Sequence, residues 1–159
     1  MATQNKPDNM LLRCYRDYVA ELGPVTETDV YAGFAGVMGG LMLSVVGWLT
    51  YLWIEFGSSS REALWTVREL AFGTAGVGVP MLLVGSIAGL MGLRDLGRSA
   101  IAGSVMCAAG LVLFGVTYPG RWNVIGGTDY SAIGVTLYGL GLALLLFRMG
   151  GAVSCRLSE

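Results

Sequence analysis

Four long apolar runs alternate with short polar segments along the chain: Tyr31–Ile54, Leu70–Leu93, Ser99–Tyr118 and Tyr130–Phe147. A helix over the first run rises roughly 36 Å at 1.5 Å per residue, enough to cross the hydrocarbon of a bilayer with some tilt. The expected fold is therefore an all-α membrane protein, a bundle of four transmembrane helices within residues 28–148. Residues 1–27 form a leading segment and residues 149–159 a short tail.

The polar segments punctuate the helices. Leu11, Tyr15, Tyr18 and Leu22 recur at the spacing of one helix face, while Arg13, Arg16, Asp17 and Glu21 fall elsewhere. Gly23-Pro24 closes that pattern. The segment is too short and too charged to span, which predicts an N-terminal amphipathic helix lying in the membrane interface. Thr28 and Asp29 offer cap chemistry ahead of the first span. Ser59-Ser60-Arg61-Glu62 has the form of a capping box, with Ser59 as N-cap, so the second helix is predicted to rise beyond the bilayer. Pro80 predicts a bend within it.

Composition narrows the picture. Of 159 residues, 54% are hydrophobic and 13% charged, with the charge confined between the runs. A net charge of -1 gives no basic face for nucleic acid. There is no His, and Cys14, Cys107 and Cys155 are far apart in sequence, so no zinc or haem site of ordinary spacing and no cofactor is expected. The first 30 residues carry no apolar core of a cleavable signal. Lys6, Arg13, Arg16, Arg94, Arg98, Arg148 and Arg156 fall on one side of the bundle and Arg61, Arg68 and Arg121 on the other. That bias predicts a cell-membrane protein with both termini cytoplasmic. Tyr51, Trp53, Trp65, Tyr118, Trp122 and Tyr130 gather at the opposite, outer boundary, where amphipathic rings prefer to sit.

Two constellations are candidates for function. The first is small residues four apart: Gly36, Gly40 and Ser44 in the first span, Gly85 and Gly89 in the second, Gly103 between Ser99 and Cys107 in the third, and Gly139 with Ala143 in the fourth. Such grooves let helices approach closely, either within the bundle or against a second copy or another membrane protein. The second is an outer rim of Glu55, Arg61, Glu62, Trp65, Arg68, Glu69, Arg121, Trp122 and Asp129. An unpaired charge near hydrocarbon is costly, so Arg68 is expected to pair with Glu55 or Asp129, and Glu69 with Arg121 or a loop amide. The rim either anchors the loops or presents a docking surface to a partner or to lipid headgroups. No ionisable residue falls in the middle of a span, which weighs against a proton-coupled carrier. A small transporter or channel subunit would instead need a polar path through Ser44, Thr50, Thr74, Ser104, Thr117 and Thr136. An interfacial enzyme would need Glu62, Glu69 or Asp129. The residues favour a structural or interaction protein whose partners are membrane lipids, itself or another membrane protein.

Several segments resemble a haloarchaeal family of small four-span membrane proteins. They are Thr28-Asp29-Val30-Tyr31-Ala32-Gly33-Phe34, Arg68-Glu69, Tyr118-Pro119-Gly120-Arg121-Trp122-Asn123 and Asp129-Tyr130. The resemblance covers Thr28–Phe147. One branch of that family is linked to archaeal cell division as a membrane anchor for cytosolic division proteins, which implies a place in such an assembly. That branch carries a long cytosolic extension, whereas this sequence stops eleven residues after Arg148. The expectation is that a recruiting element of that kind is lacking.

Overall fold

The structure, a computed structural model, describes residues 26–56, 61–122, 124–125 and 127–157, with the side chains of residues 61–63 and 155–157 outside that description. The expected interfacial helix over residues 8–22, the Ser59 cap and the side chains of Arg61 and Glu62 lie outside the described residues. Among the described residues four helices follow in order: α1 (Glu27–Phe56), α2 (Arg61–Met91), α3 (Gly97–Thr117) and α4 (Ser131–Leu157). A single 3-10 turn, Leu93–Asp95, links α2 to α3. All four helices are long and apolar enough to cross a membrane, and the chain is an all-helical, multi-pass membrane protein. We call the end holding Phe56, Thr117 and Ser131 the rim end, and the end holding Thr26 and the 3-10 turn the linker end.

The chain folds as two tight hairpins, α1–α2 and α3–α4, laid side by side. In lipid no hydrophobic effect pulls helices together, so close backbone approach and hydrogen bonds must do it. The first hairpin achieves this with a seven-residue repeat. Gly33, Gly40, Gly47 and Ile54 are the buried positions of α1. Ala71, Gly78, Gly85 and Gly92 form the matching buried series from α2 into the linker. The two series run antiparallel. A Cβ on Gly33 would come within 2.5 Å of the Gly89 nitrogen, one on Gly40 within 2.5 Å of the Leu82 nitrogen, and one on Gly47 within 2.6 Å of the Ala71 carbonyl. A seven-residue repeat keeps the seam facing its partner only if the helices wind left-handedly. The second hairpin uses the same device. Gly103 and Gly110 of α3 lie against Gly141 and Gly134 of α4, where an added Cβ would meet opposing carbonyls at 2.8 and 2.9 Å.

Larger side chains fill the space between hairpins. Leu83, Ile87 and Met91 of α2 pack with Ala100 and Cys107 of α3 and with Leu145 and Ala152 of α4. Pro80 stands within α2. It has no N–H to close on the Gly76 carbonyl one turn back. The Tyr138 hydroxyl of α4 donates to that carbonyl instead, at 2.7 Å.

The linker end is fastened from both sides. Gly92 ends α2 at φ 89° and Gly97 opens α3 at φ 74°, conformations that a Cβ disfavours. From α1, Asp29 Oδ1 accepts the Leu93 N–H at 3.0 Å. From α4, Arg148 donates through Nε to the Leu96 carbonyl at 3.1 Å and through Nη2 to the Asp95 carbonyl. Two sequence expectations change here. The N-cap of α1 is Thr26 and not Thr28, because Thr26 and Asp29 satisfy each other reciprocally: the Asp29 N–H donates to Thr26 Oγ1, and the Thr26 N–H and hydroxyl donate to Asp29 Oδ2. The fourth helix also does not stop at Arg148 but continues to Leu157, through residues expected as tail. Arg148 is only 5% exposed. Its guanidinium is satisfied by linker carbonyls, so its charge does not mark a helix end.

Candidate functional site

The small residues singled out by spacing divide into two groups. Gly36 faces Gly85 at a separation set by backbone alone: a Cβ there would sit 2.8 Å from the Gly85 Cα. Gly40 and Ser44 face Gly78, and Gly89 faces Gly33. Gly103 faces Gly141. Gly139 differs. Among the described residues nothing lies within 4 Å of a Cβ built on it, so it packs against none of the four helices. The reason is angular: α4 turns Gly134 and Gly141 toward α3, and Gly139 falls about 160° away from Gly141. On that outward side Ala132, Thr136, Gly139, Ala143 and Gly150 are all exposed. They share an arc of about 60° on the helix surface.

The rim gathers around Arg68. Its Nη2 lies 2.9 Å from Glu55 Oε2, tying α2 to the last turn of α1. The guanidinium carbon stands 5.9 Å over the Trp65 ring, and Trp65 meets Tyr118 edge-on at 6.0 Å between centroids. Phe114 continues the aromatic chain, 4.9 Å from Tyr118 and 5.0 Å from Trp122. Trp122 is seated over Gly134, where any Cβ would strike its ring. The loop behind it is held by the Arg121 N–H on the Thr117 carbonyl at 2.7 Å and by the Tyr130 N–H on the Arg121 carbonyl at 3.1 Å.

Arg68 thus takes the first of its two expected partners, Glu55. Asp129 accepts from the Ser131 N–H and hydroxyl, both at 2.9 Å, and so starts α4. Among the described residues no ion pair joins Glu69 to Arg121. Those two groups stand on different elements, α2 and the α3–α4 loop, and the Arg68–Glu55 pair holds the side of α2 that meets α1.

The span hydroxyls do not converge. Ser44, Thr50, Thr74, Ser104 and Thr117 each donate to the carbonyl four residues back in their own helix, at 2.6–2.8 Å. Thr136 is exposed on the outward face of α4. Hydroxyls bonded this way are satisfied locally and do not form a polar path. Two features were missed from sequence. The seven-residue series Gly33, Gly40, Gly47 lies outside the four-residue spacing by which small-residue grooves are recognised. Tyr138 was overlooked although Pro80 announces an unpartnered carbonyl at Gly76, and Tyr138 is the sole tyrosine interior to the fourth apolar run.

The geometry is that of a four-helix membrane bundle held by close glycine contacts. Neither a curated protein nor a solved structure matches the chain. One family does, over residues 9–156, nearly the whole chain: it is described as cell division protein A, N-terminal domain. This agrees with the division-linked resemblance in the span-flanking motifs and gives the protein a cell-division setting. The chain belongs to the family of the cell division protein A N-terminal domain.

Proposed function

We propose that this chain is a membrane-embedded interaction module of a cell-division assembly, holding a partner membrane protein or a second copy of itself against the outward face of α4. The observation that carries this reading is the stripe of Ala132, Thr136, Gly139, Ala143 and Gly150. Every other small-residue groove named from the sequence is closed on a helix of the same chain, and this one is open. A groove of small residues lets a second helix approach until dispersion and backbone contacts hold it. Locally satisfied hydroxyls and the absence of ionisable side chains at mid-span support holding over transport.

The test is co-purification in mild detergent of the chain expressed at native level, with and without Gly139→Leu. Gly139 is open, so the variant keeps its fold. Loss of about 1–2 kcal/mol of helix association lowers recovery of the partner by roughly tenfold. Placement of a fluorescent fusion at the division site should weaken in parallel. A strictly monomeric particle with no partner, or undiminished recovery with Gly139→Leu, overturns the reading.

A further inference from the structure

A cavity of about 430 Å³ opens sideways between the two hairpins in the rim half of the bundle. Phe72 and Val79 of α2, Leu111 and Phe114 of α3, and Val135 and Tyr138 of α4 form its walls. Tyr118 and Trp122 stand at its rim-end mouth. The lining is almost wholly apolar; of its two tyrosine hydroxyls, that of Tyr138 is committed to the Gly76 carbonyl and Tyr118 stands at the mouth. The depth of such a space offers no free partner to water.

We propose that this cavity holds one hydrocarbon chain of an anionic membrane lipid, with the lipid headgroup at Arg121. Three observations point the same way. From Tyr118 to Gly110 the lining extends eight residues along α3, about 12 Å, close to the half-thickness of a bilayer core. The mouth is set by Tyr118 and Trp122, whose amphipathic rings belong at headgroup level. Arg121, immediately before Trp122, is exposed and in no salt bridge among the described residues, so a cationic group stands where a phosphate would arrive. The Trp122 wall is fixed by its seat on Gly134 and its edge contact with Phe114, so the cavity is preformed. A polypeptide helix fits less well: Phe72, Phe114 and Trp122 are bulky, and the small lining residues are already covered, Ala75 by Gly47, Gly76 by Leu111, Gly110 by Tyr138 and Gly134 by Trp122. The cavity borders the docking face on α4, because Val135 stands one turn from Gly139, but its walls on α2 and α3 do not, so Val79→Trp separates the two sites.

The experiment uses the full chain, delipidated in detergent and supplied with palmitoyl-oleoyl phosphatidylglycerol or the phosphatidylcholine of the same chains, with bound lipid counted by native mass spectrometry. Wild type is expected to retain one phosphatidylglycerol per chain in preference to phosphatidylcholine. Val79→Trp and Val135→Trp fill the cavity from different helices, at positions 40% and 61% exposed that need no backbone shift. Each should lower retention about tenfold while helicity and melting temperature are kept. Arg121→Gln should reduce phosphatidylglycerol retention to the phosphatidylcholine level. Unchanged retention in both tryptophan variants overturns the proposal, as does equal retention of the two lipids by wild type. Loss of a co-purifying membrane protein in those variants with lipid retention intact also overturns it, in favour of a polypeptide occupant.

Discussion

Tyr138→Phe removes one oxygen from the bundle and leaves the ring in place. In the native chain that oxygen donates to the Gly76 carbonyl at 2.7 Å. Pro80 is the residue whose N–H would otherwise close on that carbonyl, and it has none. The variant therefore loses more than an average interhelical hydrogen bond. Such bonds are worth about 0.6 kcal/mol on average in membranes, with a ceiling near 1.7. A buried acceptor left without a partner costs about 1–3 kcal/mol. The expected loss is about 1.5–2 kcal/mol. Pro80→Ala supplies the missing N–H, so in that background the Gly76 carbonyl keeps a partner and Tyr138→Phe should cost only about 0.5 kcal/mol. The coupling energy of the cycle is then about 1 kcal/mol, well above the scatter of independent sites. Steric-trapping measurements of unfolding in bicelles, on all four proteins, read it directly. Equal cost of Tyr138→Phe in the two backgrounds would refute the argument that the tyrosine stands in for the proline's absent donor.

Gly40→Ala should destabilise the α1–α2 hairpin by about 1–3 kcal/mol, because its Cβ meets the backbone of Leu82 and Gly78 at 2.5–2.6 Å, whereas Gly139→Ala should leave stability within about 0.5 kcal/mol; the same unfolding assay compares them. Arg148→Ala should cost about 2–4 kcal/mol by stripping the Leu96 and Asp95 carbonyls of a charged donor, with Arg148→Lys recovering only part because an ammonium does not fork between them. Hydrogen exchange at residues 95–99 should rise in both. Asp29→Ala should remove the bonds that the Thr26 N–H and hydroxyl donate to its carboxylate, worth about 1 kcal/mol, and selectively accelerate exchange of the Leu93 amide; acceleration spread evenly over the bundle would count against a local fastening.

Much of the architecture was written in one dimension. The four apolar runs fixed the number of helices, because backbone polar groups in lipid must be satisfied within the segment and only a helix does that. That Arg68 would be paired was legible too, since an unpaired guanidinium at the hydrocarbon edge is too costly to persist, but the fold chose Glu55 over Asp129. Helix ends were less legible. Arg148 reads as a terminus in sequence, and only the fold brings the linker carbonyls of Leu96 and Asp95 to it from 52 and 53 residues away.

The grooves divide most instructively. Composition alone determined that glycine would hold this bundle together, because helices in lipid gain by close approach and not by hiding from water. Which glycines do so was decided by tertiary structure. Gly139 and Gly141 are two residues apart and equivalent in local sequence, but the rotation of α4 about its axis sends one against Gly103 and leaves the other open. That rotation is set jointly by the seven-residue seam with α3, by Arg148 reaching the linker and by Tyr138 reaching Gly76. Each of these contacts joins residues tens of positions apart, so no local window of the sequence contains the information that distinguishes a packed glycine from an exposed one.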